Sequence, residues 1–251
     1  MSHHMLDPSP LAEAAGDTVA LPPTASRTEI LARQSRECKD TLREKISVPI
    51  QQEPGGKDRV RLPDGCYNPR MPIDTRLTYE DYCLLPNDGK RYEIIDGELY
   101  VTPSPRRSHQ RVVTNLVYYL LKFVKTHTLG EVYVAPFDVV FSRYDVVEPD
   151  ILYVSSARRS VITEKNVQGA PDLAVEVLSE STADIDRTAK LKLYARFGVR
   201  EYWIIDPEEC SAEIYRRSQE GLEHAAALQA NDSLTSPLFP SFSLPLQKLT
   251  E

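Results

Sequence analysis

PDLAVEVLSEST, Pro171 to Thr182, is the stretch that decides how this chain is read. Its run Leu173 to Leu178 is apolar and valine-rich, the pattern of a strand buried on both faces. Glu176 stands in the middle of that run. An unpaired buried carboxylate is costly, so the fold must give it a lysine, a proton or a metal ion. Alternation puts Asp172, Ala174, Glu176 and Leu178 on one face, and Val175 and Val177 on the other. Mid-strand, Glu176 has no turn to close.

Working outward, the spacing predicts a helix from Asp184 to Phe197. Ala189, Leu193 and Phe197 form its apolar stripe. Asp186 and Lys190 fall inside the same arc, whereas Lys192 and Arg196 fall outside it. The plain reading is an i,i+4 ion pair between Asp186 and Lys190, the lysine stem packing on Tyr194. Upstream, Pro149-Asp150 opens PDILYV as Pro171-Asp172 opens PDLAVEV. Taken singly, each Pro-Asp is a strand start with a turn-closing Asp.

Taken together, Asp150, Glu176 and Lys190 make a chemical kit. Two carboxylates from neighbouring strands suit Mg²⁺, which prefers oxygen ligands. Such an ion polarises a phosphoryl oxygen and lowers the pKa of bound water. A nearby lysine orients that water or steadies charge developing on phosphate. These parts suffice for phosphodiester hydrolysis, with Asp150 and Glu176 as metal ligands and Asp186 orienting Lys190.

Composition narrows the class. A chain of 251 residues, 41% hydrophobic and 27% charged, is ordinary globular material. The formal net charge of -7 argues against a strongly basic nucleic-acid binder, while leaving room for a local basic face. No apolar run approaches the roughly 20 residues of a membrane helix, and the N-terminus lacks a signal-peptide layout. Cys38, Cys66, Cys83 and Cys210 are far apart, which indicates neither a zinc cluster nor a disulfide framework. They read as reduced thiols in a cytoplasmic protein.

The texture changes near position 70. Residues 1–70 are rich in proline, glycine and charge, with one weak helical candidate at 25–46, and read as mostly disordered. From Leu77 the chain reads as a short helix ended by Pro86, then a hairpin joined at Asp96-Gly97. A long amphipathic helix with Val112, Val113, Leu116, Leu120, Phe123 and Val124 follows. Strands come next at GEVYVAPFDVVF, PDILYV and DLAVEVLS, then the helix, then EYWIID and a final strand AEIYRR. The tail SLTSPLFPSFSLPLQKL reads as turn-rich packing along an edge. This order implies an α/β domain, a mixed central sheet flanked by helices.

From about Leu77 onward the chain resembles the Uma-type restriction-endonuclease family of the PD-(D/E)XK nuclease superfamily. The matching stretches are LTYEDYCLLPNDGKRYEIIDGELYVTPSP, EPDILYV, GAPDLAVEVLSESTADIDRTAKLKLYARFGVREYWIIDP and SPLFPSFSLPL. The resemblance implies a restriction-endonuclease-like fold over 77–249 and a DNA endonuclease using Mg²⁺, with Mn²⁺ as a substitute. It places Asp150 at the Pro-Asp position and Glu176 at the second carboxylate. The superfamily's usual lysine two places later is Leu178 here; Lys190, from the following helix, matches the family's variant. Glu93 and Glu98 match acidic positions near the hairpin, either of them a candidate to assist the site. His109 matches a histidine opening the long helix, and a plain helix-entry role is the alternative. Members often begin just before the T-Y-E stretch, so residues 1–70 are either an extension or a start placed too early, with Met71 as the candidate true start.

Trp203 and Tyr202 read as core rather than as a base-stacking platform. Arg106, Arg107, Arg187, Lys192, Arg196 and Arg200 are candidates for phosphate contact, one or two of them at most. Thr182 and Asp184 read as helix caps. A homodimer would suit double-strand cleavage. The competing reading is a catalytically inactive nuclease fold serving as a DNA-binding or interaction module.

Overall fold

The computed structural model describes residues 75–251. The readings of residues 1–70, of the helix at 25–46 and of Met71 as a start lie outside them. Among the described residues, no helix is long and apolar enough to cross a membrane.

Thr78 opens α1 (Tyr79–Tyr82) with a reciprocal cap, its hydroxyl taking the Asp81 N–H while the Asp81 carboxylate takes the Thr78 N–H. The expected hairpin follows as β1 (Arg91–Ile95) and β2 (Glu98–Thr102). Asp96 and Gly97 join them at φ 52° and 79°, the left-handed pair that matches the twist of a tight hairpin. Next is α2 (Arg107–Thr126), whose buried face is His109, Val112, Leu116, Leu120 and Val124. The run GEVYVAPFDVVF divides into β3 (Gly130–Val134) and β4 (Asp138–Ser142) around Ala135-Pro136. Proline has no N–H to continue a ladder, so the two halves enter different sheets.

After β5 (Asp145–Val147), β6 (Ile151–Ser155) and β7 (Asn166–Gln168) comes β8 (Leu173–Val177), buried at every residue. The helical segment 183–197, labelled α3, contains a wide π turn at Asp186–Lys190 followed by an α-helix at Leu191–Phe197. Thr182 stands at its N-cap but makes no side-chain capping bond, and Asp184 is exposed in the first turn, so neither caps it as expected. Gly198, at φ 88°, ends the helix in the left-handed conformation.

AEIYRR is not the final strand. β9 (Glu201–Asp206) and β10 (Ser211–Arg217) are followed by β11 (Leu222–Leu228) and by a hairpin of β12 (Ser233–Ser236) and β13 (Phe239–Pro245). The tail therefore forms strands, and Phe239, Phe242, Leu244, Leu246 and Leu249 enter the core. Short strands such as β5 and β7, three residues each, carry too few side chains to show a period.

The expected mixed α/β architecture holds, with its strands divided between two main sheets. The larger runs β11-β10-β9-β8-β6-β3, antiparallel except for β8 with β9. The smaller runs β2-β1-β5-β4-β7, antiparallel except for β4 with β7. One face of the larger sheet carries Leu173, Val175, Val177 and Trp203 against α2 and the C-terminal hairpin. On its other face, Ala174, Leu178, Tyr202 and Ile204 meet α3 and the smaller sheet through Leu193, Tyr194, Val139 and Ile95. Glu176 faces this second layer.

Candidate active site

Strand register brings the two expected carboxylates together. β6 and β8 are antiparallel with Ile151 opposite Val175, which sets Asp150 across from Glu176. β1, from the smaller sheet, brings Glu93, and the π turn of α3 turns Asp186 and Lys190 inward; all five side chains are at most 3% exposed. π turns recur at functional sites because they re-aim side chains within a helix.

Lys190 is the hub. Its Nζ lies 2.9 Å from Glu93 Oε1, 3.0 Å from Glu176 Oε1 and 3.6 Å from Asp186 Oδ1. The last is within ion-pair range but beyond hydrogen-bonding distance, and Asp186 Oδ1 is buried without a hydrogen bond. The expected i,i+4 pair is thus the longest of three contacts. Tyr194 OH donates to Glu176 Oε1 at 2.8 Å, and the Glu148 N–H donates to Glu93 Oε1 at 2.8 Å.

Asp150 has its own partners. Oδ2 accepts the Val177 N–H at 2.9 Å and lies 3.0 Å from His109 Nε2; Oδ1 accepts Arg91 Nη1 at 2.8 Å. His109 is therefore more than a helix-entry residue, and its Nδ1 is buried without a hydrogen bond.

Two electrostatic environments coexist. Burial alone would raise Asp150, but the His109 hydrogen bond and charge, then Arg91 and the Val177 N–H, hold it at about 2. Burial pushes Glu176 well above the usual carboxylate range; Lys190 opposes this, while Asp186, Asp150 and Glu93 add to it. Burial likewise lifts Asp186 to about 6 against the pull of Lys190, with the Glu93 charge adding to the lift. For Lys190, burial favours the neutral amine, but Glu176, Glu93 and Asp186 outweigh it and keep the ammonium. Asp150 is thus held ionised, while Glu176 and Asp186 are biased towards their protonated forms.

Glu98 does not join them, which corrects that expectation. It shares a face of the hairpin with Glu93 but sits at the turn, opposite Ile95, exposed and accepting from Tyr100 OH at 3.4 Å. Of the basic candidates, Arg106 pairs with Glu180, Arg187 with Glu213, Arg196 with Asp96 and Asp145, and Arg200 with Asp172. Arg107 and Lys192 are exposed.

Two site residues escaped the sequence reading, and a third, Tyr194, enters it only as packing for the lysine stem. Arg91 lies two residues before Glu93, Glu148 two before Asp150, and Tyr194 four after Lys190. Strand alternation puts Arg91 on the face of Glu93 and helical spacing puts Tyr194 on that of Lys190, whereas Glu148 lies in the link between β5 and β6. A further group adjoins them: Tyr82 OH lies 2.8 Å from Asp138 Oδ1 and 3.1 Å from Glu148 Oε1. Burial and the Asp138 charge push Glu148 up to about 7.

Mixed sheets flanked by helices, with buried carboxyl groups where β6 meets β8, agree with the restriction-endonuclease-like α/β architecture that the resemblance implies. Residues 79–247 match the Uma2 family, described as "Putative restriction endonuclease", and the chain belongs to that family. A crystal structure of a "putative nuclease belonging to DUF820" from Anabaena variabilis has the same fold, with a TM-score of 0.59 at 21% identity. The match covers 69% of this chain and 97% of that one. No curated protein matches the chain.

Proposed function

We propose that the protein is a divalent-metal-dependent DNA endonuclease, with Asp150 and Glu176 as metal ligands. The observation that carries this reading is the convergence of Glu93, Asp150, Glu176 and Asp186 on one buried site with Lys190. Four buried carboxyl groups surround Lys190 there, and Arg91 reaches one of them, Asp150, from the rim. The donors are all oxygen, and Asp186 Oδ1 lacks a hydrogen bond. That set fits Mg²⁺ or Mn²⁺. Among the described residues, no three such side chains stand in a preformed metal cage. Lys190 and Arg91 each stand on one oxygen of these carboxyl groups, so a metal would compete with them there.

A bound divalent cation would supply charge for the phosphoryl oxygen and acidify its water. The chain's own residues do the rest. Lys190, kept protonated by its carboxylates, offers a positive charge for the phosphate or an anchor for the attacking water. Glu93 and Asp186 hold that ammonium in place, and Tyr194 fixes the Glu176 carboxylate. His109 and the Val177 N–H orient Asp150 so that it stays ionised. The competing reading, an inactive binding or interaction module, draws on the same saturation of the carboxylates by internal cations.

Mg²⁺- or Mn²⁺-dependent nicking of supercoiled plasmid by the full chain tests the proposal. Cleavage abolished by EDTA supports it. No cleavage, together with no metal heat in calorimetry, favours the module. Because Glu176 and Asp186 sit above their usual values, they hold protons that a metal must displace. Metal affinity is therefore expected to rise with pH through about 6, with proton release. Calorimetry in buffers of different ionisation enthalpy reads the protons directly, and a pH-independent affinity would refute the displacement. Glu98→Gln is expected to leave cleavage and metal affinity unchanged, as befits a side chain at the exposed hairpin turn.

A further inference from the structure

Asp150 is the ionised carboxylate of the site, yet its oxygens are already occupied. Two of its three partners cannot leave without unfolding something. The Val177 N–H belongs to β8, and His109 is buried in α2. The third is different. The Arg91 side chain is 22% exposed, against 3% for Lys190, and lies on the solvent side of the cluster. Its other contacts are long, with Nε 3.6 Å from Glu148 Oε2 and Nη1 donating to the Glu148 carbonyl oxygen at 3.5 Å.

We propose that Arg91 is a resident counter-cation on Asp150 Oδ1, displaced when a divalent cation binds and then taken up by a phosphate oxygen of the DNA. The inference rests on the metal reading of Asp150. Two cations cannot share one carboxylate oxygen without strong repulsion at low dielectric. A guanidinium fork fits carboxylate and phosphate alike, so the same group serves both partners in turn. Arg91 therefore balances the Asp150 charge until metal binds and then reports its arrival to the substrate side.

The test is calorimetry of Mn²⁺ binding to the full chain carrying Arg91→Met or Arg91→Lys, beside wild type. Arg91→Met removes the competitor and should tighten Mn²⁺ binding about tenfold, equivalent to about 1.4 kcal/mol. Arg91→Lys keeps the charge and should stay near wild type. Should the methionine variant not fold, Mg²⁺ titration of wild type by ¹⁵N NMR decides: the Arg91 Nε–H signal, assigned by its loss in Arg91→Lys, should shift with saturation. DNA duplex affinity measured by fluorescence anisotropy should fall in Arg91→Met when Ca²⁺ is present and not in its absence. An unmoved Nε–H signal, unchanged Mn²⁺ affinity in a folded methionine variant, or an equal DNA loss with and without Ca²⁺ would each overturn the proposal. If wild type and variants bind no divalent cation, the metal reading falls with it; if all bind equally, only the Arg91 proposal falls.

Discussion

Glu176→Gln is expected to lower plasmid cleavage by about 10³-fold while leaving thermal stability unchanged or raised. The amide oxygen of glutamine still accepts from Lys190 Nζ and Tyr194 OH, the two donors that Glu176 Oε1 meets at 3.0 and 2.8 Å. What it loses is a charge that burial and three neighbouring carboxylates already disfavour. Function should disappear without strain on the fold, the usual exchange of stability for activity at a working site. Asp150→Asn should abolish cleavage too but also cost stability, because Asp150 is ionised and well satisfied by Arg91, His109 and Val177. Plasmid nicking beside thermal melts separates the two variants. A Glu176→Gln protein that melts far below wild type would mark the carboxylate as a structural partner of Lys190 and sink its metal role.

Lys190→Met is expected to give the largest loss of stability of any change at the site. Removing one partner of a buried charge cluster typically costs about 3–5 kcal/mol. For a domain of this size that is roughly 10 °C or more in melting temperature. Glu93, Glu176 and Asp186 would be left facing one another without their shared ammonium. The deficit should depend on pH, and the sign follows from the raised carboxyl groups. Folded carboxyls with elevated pKa bind protons more readily than unfolded ones, so stability is gained as pH falls and lost as pH rises through the folded values. In wild type Asp186 already stands at about 6, and without Lys190 the group should titrate higher still. The variant should therefore melt closest to wild type near pH 5 and furthest from it near pH 8. Equal deficits at both pH values would show that Lys190 supports the fold by packing alone.

Much of the site was legible because periodicity carries chemistry with it. Alternation in LAVEV put Glu176 on the face opposite Val175 and Val177, and the two faces do pack against different layers. Helical spacing drew Asp186 and Lys190 inward, and both are buried. Where one element gave no period, the reading failed. LEHAAAL in β11 is an edge strand of mostly exposed small and polar residues, and it offers no apolar alternation to detect. The choice between Glu93 and Glu98 failed for another reason. They share a hairpin face, and only their depth relative to α3 separates them.

The sequence by itself determined the local elements and the chemical parts: a doubly buried strand with one carboxylate, a Pro-Asp strand start, and a helix with lysine on its inner face. These follow from short-range sterics and from the segregation of apolar side chains, which act within a few residues. Tertiary structure alone decided the pairings. Register across β6 and β8 set Asp150 against Glu176, and packing of the smaller sheet on α3 delivered Glu93 to Lys190. The entry of Arg91 and His109 onto opposite oxygens of Asp150 came from β1 and α2, elements remote from it in the chain. Contacts between residues 26 to 97 positions apart depend on how whole layers stack, and no local pattern in either segment encodes the partner.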